Sequence, residues 1–157
     1  MDKYTWVDVG SSYLPGEIIA AFLSAQLDDA EEITARRLAI WDRYHAWAAP
    51  HEADGTLRRP VIPEACEHNA HMYYLLLPSL EARARFIASM KARAVQTVFH
   101  YIPLHSSPAG EQLGRASGTL DVTNDISNRL VRLPLWLGLE SLMDEVLDAA
   151  EASIREG

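Results

Sequence analysis

Cysteine is nearly absent from this chain of 157 residues: Cys66 stands alone, so no disulfide can close within it and nothing points to an oxidising compartment. Lysine is almost as scarce, with only Lys3 and Lys91, which bears on any chemistry that needs a reactive amine. The longest apolar run, MYYLLL, is far short of the ~20 residues of a spanning helix, and MDKYTWVDVG has neither the basic start nor the apolar core of an export signal. A soluble, cytoplasmic protein with no membrane partner is the expectation. Positive charge is also in deficit: 14 Lys and Arg face 22 Asp and Glu, giving a net charge of -8 and a pI near 5.1. Such a surface repels phosphate backbones, so nucleic acid is not expected as a partner. No repeat period, low-complexity tract or long flexible linker breaks the chain.

What is present suits one domain. Hydrophobic residues make up 48% of the chain, enough for a single core that buries roughly 70% of the unfolded surface. An extended start, Tyr4 to Val9, leads into GSSYLPG, whose glycines, serines and proline punctuate the chain before a helix from Gly16 to Leu27. Ile18, Ile19, Phe22, Leu23 and Leu27 cover more than one face of it, so burial on several sides is expected. Asp28 and Glu31 have capping-box spacing and predict the start of a second helix. Ile33, Ile40, Trp41, Tyr44 and Trp47 or Ala48 carry its apolar stripe up to Pro50, and Arg36, Arg37, Asp42 and Arg43 read as a solvated face.

After a loop from His51 to Pro63, HNAHMYYLLL reads as a strand buried on both sides near its end. Ser79 can cap a helix that runs to about Ala94 with Leu80, Ala84, Ile87 and Met90 inward, and a strand is expected over Val95 to Tyr101. IPLHSSPAGEQLGRASG is turn-rich, and a loop of that length in a small domain is usually functional. A short helix is expected from Thr123 through Val131, then a brief strand or extended link at RLPLW. Ser141 and Asp144 suggest a capping box for a last helix that buries Leu142, Val146, Ala149 or Ala150, and Ile154. The order of elements argues for an α/β fold with a small sheet covered by helices.

Cys66, His68, His71, His100 and His105 are close enough in sequence to raise a zinc site, which needs three or four ligands converging at ~2.0 to 2.3 Å. In a strand His68 and His71 point to opposite faces, which weakens that reading. Local hydrogen bonding and substrate contact remain open for these histidines. No GxSxG elbow, GxGxxG turn or GxxxxGKS loop occurs, and the acidic residues fall mostly on expected helix surfaces.

Three blocks in order are specific: GSSYLPGEIIAAFLSAQL, HNAHMYYLLL and VFHYIPLHSSPAGEQLG, closing on RLPLWLGL. Together they resemble the sugar aminotransferases of the DegT/DnrJ/EryC1/StrS family over nearly the whole chain. Within it YTWVDVGSSYLP is similar to the transaminases that make dTDP-4-amino-4,6-dideoxygalactose from a dTDP-4-keto-6-deoxy sugar. The resemblance implies the small C-terminal domain of a type I PLP-dependent aminotransferase. Residues 1–27 would be an arm and interdomain helix, and residues 28–157 the small domain. It implies amino transfer from glutamate through pyridoxal 5'-phosphate to a dTDP-sugar, in a homodimer or beside a chain carrying the large catalytic domain.

The Schiff-base lysine of such enzymes lies on that large domain, and neither Lys3 nor Lys91 has a counterpart in the family. The chain is therefore expected to be inactive alone and to bind no PLP covalently, with a nucleotide-sugar-binding or protein-docking module as the alternative. By position, Ser12 stands where many relatives have an asparagine that reaches the PLP phosphate, and a hydroxyl can donate in its place. Tyr13 beside it reads equally as packing or ligand contact. His71, Tyr101 and His105 fall in the blocks that line the small-domain side of the sugar cleft. For each, a local hydrogen-bonded or core role is the competing reading; Trp6 and Trp136 read as packing.

Overall fold

The computed structural model describes residues 13–156. The chain divides into two units, Met1–Glu32 and Ile33–Gly157. The first contains α1 (Glu17–Asp28), whose bounds match the apolar pattern, but no residue of it is buried. Ile18, Ile19, Phe22, Leu23 and Leu27 are all exposed, Phe22 at 70%. Burial on several sides was the expectation, and among the described residues α1 has no buried side chain. The expected N-cap at Asp28 is also corrected: Asp28 ends α1, Asp29 is its C-cap, and α2 (Ala30–Ala53) begins directly afterwards.

Pro50 does not stop α2, which continues to Ala53. A proline removes its own amide donor but keeps its carbonyl, and the Pro50 carbonyl accepts the Asp54 N–H at 3.0 Å. Side chains past the proline fasten the last turn: His51 Nε2 lies 2.8 Å from Glu151 Oε2, and the Arg59 Nε–H donates to Glu52 Oε2 at 2.7 Å.

The second unit is built on a three-stranded antiparallel sheet in the order β1-β3-β2. β1 (Tyr73–Leu76) pairs with β3 (Leu130–Leu133), placing Tyr74 opposite Arg132 and Leu75 opposite Val131. β2 (Val98–Phe99) lies on the other side of β3, with Val98 opposite Arg132. The α/β class with a small sheet and helices is thus what the chain adopts. Three bounds differ from the sequence reading. β1 starts five residues late because Asn69 Oδ1 accepts the His71 N–H and Ala70 has φ 48°, a local turn that breaks the extended run. β2 covers only two residues of the expected seven. β3 absorbs Leu130 and Val131, which had been assigned to a helix, so α5 is Asp121–Arg129.

One face of the sheet carries the core. α3 (Leu80–Ala92) is capped by Ser79, whose Oγ accepts the Ala82 N–H at 3.1 Å. α6 (Met143–Arg155) follows a 3-10 turn at Leu139–Leu142. Ile40, Tyr44, Tyr73, Leu75, Met90, Val131, Leu139 and Met143 form the fully buried centre, each large side chain removed from water there contributing about 1.5–3 kcal/mol. Tyr44 stacks on Tyr73 with ring centroids 5.1 Å apart, and its hydroxyl donates to the Pro134 carbonyl at 2.8 Å. Burial pushes both phenols well above their ordinary pKa, against a lowering by Arg43 at Tyr44 and by Arg59 at Tyr73.

The last helix departs from its expected start. Ser141 does not cap it; its hydroxyl donates to the Gly138 carbonyl, and Asp144 instead takes an ion pair from Arg43 at 2.6 Å. Met143 is the buried residue of that turn while Leu142 is exposed. The charges read as a solvated face on α2 are partly tethered: Arg36 pairs with Glu140 and Arg37 donates to the Ala70 carbonyl. Among the described residues no helix is long and apolar enough to cross a membrane.

Candidate functional site

The segment after β2 is not an unstructured loop. Leu104–Ser106 forms a 3-10 turn and α4 (Pro108–Leu113) follows. Ser107 caps α4 by accepting the Gly110 N–H at 3.1 Å, with Pro108 at the first helical position, where its missing donor costs nothing. Gly110 is required by close approach: a Cβ there would meet the Leu104 carbonyl oxygen at 1.6 Å. This packing sets the path of Tyr101 to His105, the block singled out from sequence.

Ser12 lies outside the described residues, as do Lys3 and Trp6. Tyr13 is exposed. His105 is half-buried and its Nε2 lies 3.0 Å from Asn124 Oδ1, a tie from the turn to α5. Tyr101 is 72% exposed, which removes it from the core. Its ring meets His100 edge-on at 4.9 Å and faces the Arg132 guanidinium at 5.9 Å, within range of a cation–π attraction. His71 is exposed beyond the start of β1 and lines a shallow depression with Met72, Val98, Arg132, Leu133 and Leu135. Trp136 is half-exposed beside Val98, Leu139 and Leu142 rather than packed inside.

The structure therefore places His71 and Tyr101 each near Arg132, while the Nε2 of His105 meets Asn124 of α5. A neighbouring depression of ≈ 460 Å³ runs from His100 and Tyr101 along Pro103 and Leu104 to Val122, Ile126 and Leu130. Its lining is mainly apolar, with polar groups from His100 and Tyr101 and from Thr123 and Ser127 of α5, the usual make-up of a small-molecule cleft wall. Sequence reasoning missed Arg132, because RLPLW gave no sign that its first residue would sit on the central strand. His100 was weighed with the other histidines, as metal ligand, local hydrogen-bonding group or substrate contact, but was not singled out as a site residue. Burial, then the charges of Arg132 and His71, hold its pKa below the ordinary histidine value.

Among the described residues no group of three His, Cys, Asp or Glu is arranged to hold a metal ion, and Cys66 is exposed. A Schiff-base cofactor needs an amine held in a shielded pocket. Lys91, the one described lysine, is exposed in the last turn of α3, so the described residues do not fit such a site.

The sequence profile of the DegT/DnrJ/EryC1/StrS aminotransferase family matches residues 1–150. The dTDP-4-dehydro-2,3,6-trideoxy-D-glucose 4-aminotransferase of Saccharopolyspora spinosa is 27% identical over 154 residues, covering 95% of this chain and 38% of the relative. The structure of DesV from S. venezuelae in complex with a ketimine intermediate superposes with TM-score 0.78 at 24% identity, over 97% of this chain and 40% of that one. NtdA from Bacillus subtilis with bound cofactor PMP matches with TM-score 0.65 at 24% identity, over 76% of this chain and 28% of that one. The chain spans about two fifths of the length of the curated relative it matches. With its fold, its three sequence blocks and a profile match over nearly its whole length, the chain belongs to the DegT/DnrJ/EryC1/StrS aminotransferase family.

Proposed function

We propose that this chain is the C-terminal part of a PLP-dependent nucleotide-sugar aminotransferase, acting in the cytoplasm on a dTDP-4-keto-6-deoxy sugar with glutamate as amino donor. The amine that holds the coenzyme would come from a large domain on another segment or chain, and the reading assigns no turnover to these residues alone. Residues 1–27 would serve as arm and interdomain helix and residues 28–157 as the small domain. The observation that carries the reading is the family match over residues 1–150 in a chain whose described lysine is exposed on a helix.

In the complete enzyme PLP would supply the electron sink for amino transfer. The part of this chain would be to present Tyr101, His71 and His105 along the sugar cleft, where several modest hydrogen bonds of about 0.5–1.5 kcal/mol each would orient the substrate. Ser12 would reach the coenzyme phosphate.

The purified chain mixed with PLP, glutamate and the keto nucleotide sugar should give no amino sugar by mass spectrometry. Turnover, or PLP found fixed to Lys3 or Lys91 after borohydride reduction, would end this reading. A second reading, a docking module for a chain that carries the lysine domain, is favoured by the exposed apolar side chains of α1. Its check is sedimentation with a family member that retains the lysine domain: a joint boundary supports docking, and two independent boundaries remove it.

A further inference from the structure

Residues 134–139 leave the central strand and turn back toward the last helix. The Leu139 N–H donates to the Trp136 carbonyl at 3.3 Å, and Gly138, with φ 101° and ψ -11°, takes the left-handed third position that a type II turn reserves for glycine. That turn places Trp136 on a cleft of ≈ 560 Å³ whose apolar lining includes Val95, Val98, Leu142 and Val146. The indole stays half exposed. The end of α3 also lines the cleft and is closed on itself: the Ala94 N–H donates to the Lys91 carbonyl and the Val95 N–H to the Met90 carbonyl, each at 3.0 Å, around Ala94 at φ 61°. Those amides are spent within the protein, so side chains must select what enters.

Two charged side chains line the cleft, Arg93 and Glu145, and they differ in what they already hold. Arg93 pairs with Glu156 and donates to Ser89 Oγ at 2.6 Å. Near the start of α6, Glu140 is taken by Arg36 and Asp144 by Arg43. Glu145 is exposed and has no ion pair or hydrogen bond among the described residues. Its full negative charge outweighs the roughly half unit of positive charge at a helix N-terminus, and the chain's net charge of -8 adds to it at longer range. The charge left for a ligand is therefore negative, and it lies beside tryptophan, the ring that attracts cations most strongly. The volume falls within the about 300–1,000 Å³ of small-molecule sites.

We propose that this cleft, between the end of α3 and the start of α6, binds an organic ammonium with an apolar body. Glu145 supplies the counter-charge, Trp136 offers its ring face to the cation, and Val95, Val98 and Leu142 cover the body. The site uses none of His71, Tyr101 and His105, so it stands or falls apart from the aminotransferase reading. Glutamate and a dTDP-sugar, the substrates of that reading, carry the wrong charge for it.

Titration of the full chain with phenethylammonium at low salt, followed by NMR at the Trp136 indole N–H, tests it; the signal is identified by its loss in Trp136→Phe. A saturable shift is expected, with affinity at least fivefold lower in Glu145→Gln and unchanged in Asp148→Asn, an exposed acid of the same helix outside the cleft. Phenethyl alcohol, the neutral counterpart, should bind at least fivefold more weakly than the ammonium, and 3-phenylpropanoate more weakly still. No saturable shift, equal affinity for ammonium and alcohol, or equal affinity of the unaltered chain and Glu145→Gln overturns the site. Tighter binding of 3-phenylpropanoate also overturns it, by assigning the cleft to Arg93. Should Glu145→Gln fail to fold, the comparison of ammonium with alcohol on the unaltered chain decides alone.

Discussion

The two faces of the sheet differ in what they are made of. On one, Tyr73, Leu75, Val131 and Leu133 are closed in by side chains from α2, α3 and α6. On the other, Arg132 and its neighbours border depressions, and Tyr101, Ile102, Leu104 and Leu113 stand exposed along the segment that follows β2. The contrast teaches where free energy is stored. Stability resides in the helix-packed face, and the open face is free to carry groups whose satisfaction depends on something bound.

The largest test of that division is Leu75→Ala. Leu75 is fully buried at the centre of the closed face, and removing it should cost about 2–5 kcal/mol, measured by urea denaturation. A cost under about 1 kcal/mol would erase the distinction. Tyr44→Phe comes next, since it leaves the half-buried Pro134 carbonyl without its donor; about 0.5–1.5 kcal/mol is expected.

A matched pair sharpens the comparison further. Ser79 and Ser107 make the same cap, each accepting an amide three residues on at 3.1 Å. Ser79→Ala should lower global stability by about 1 kcal/mol, whereas Ser107→Ala should leave the global midpoint nearly unmoved. Faster proteolysis within residues 104–113 would reveal its local effect. Equal global losses would mean that the segment after β2 folds as part of the closed face.

The smallest effect is a pH dependence. Burial, with Arg59 beside it, lowers the folded-state pKa of His45, so the unfolded chain takes up the proton more readily. The stabilisation is complete above the unfolded value near 6.5 and is lost as pH falls toward the folded one. His100 has the same sign on the open face. Thermal midpoints should therefore decline from about pH 7.5 to 5.5, and His45→Gln should flatten the decline. A midpoint that rises over that range would refute the assignment. Glu151 adds a later loss: burial opposes its ionisation, but bonds from His51 and Trp47 prevail and keep its pKa below the ordinary carboxylate value.

How much of this was legible in the residues depends on how local each cause is. Apolar spacing placed the bounds of α1, α3 and α6 to within a few residues, because 3.6-residue periodicity is written within the helix itself, but it misjudged the buried faces: Leu80 and Ala84 are exposed on α3, where Phe86 and Met90 are buried. The continuation of α2 past Pro50 was hidden, since its anchors lie on residues 59 and 151. β2 was overextended because β3 holds only two of its residues. Of the candidate site residues, His71 and Tyr101 were named through their sequence blocks, and the Nε2 of His105 meets Asn124, a partner 19 positions away that the sequence did not signal. Arg132 carried no local signal at all: its meaning depends on the pairing that sets it between Tyr74 and Val98.

That pairing also fixes an order of events in the making of the molecule. The central strand comes last in the chain, and both flanking strands bond to it rather than to each other. As the polypeptide leaves the ribosome, the earlier two strands emerge with only the Arg58–Leu76 bridge available to β1, and must wait for residues 130–133, some 30 to 60 positions later, before the ladders of the sheet can close. Nascent chains arrested upstream of Leu130 should remain protease-sensitive throughout the second unit, while those arrested after α6 has cleared the exit tunnel should not.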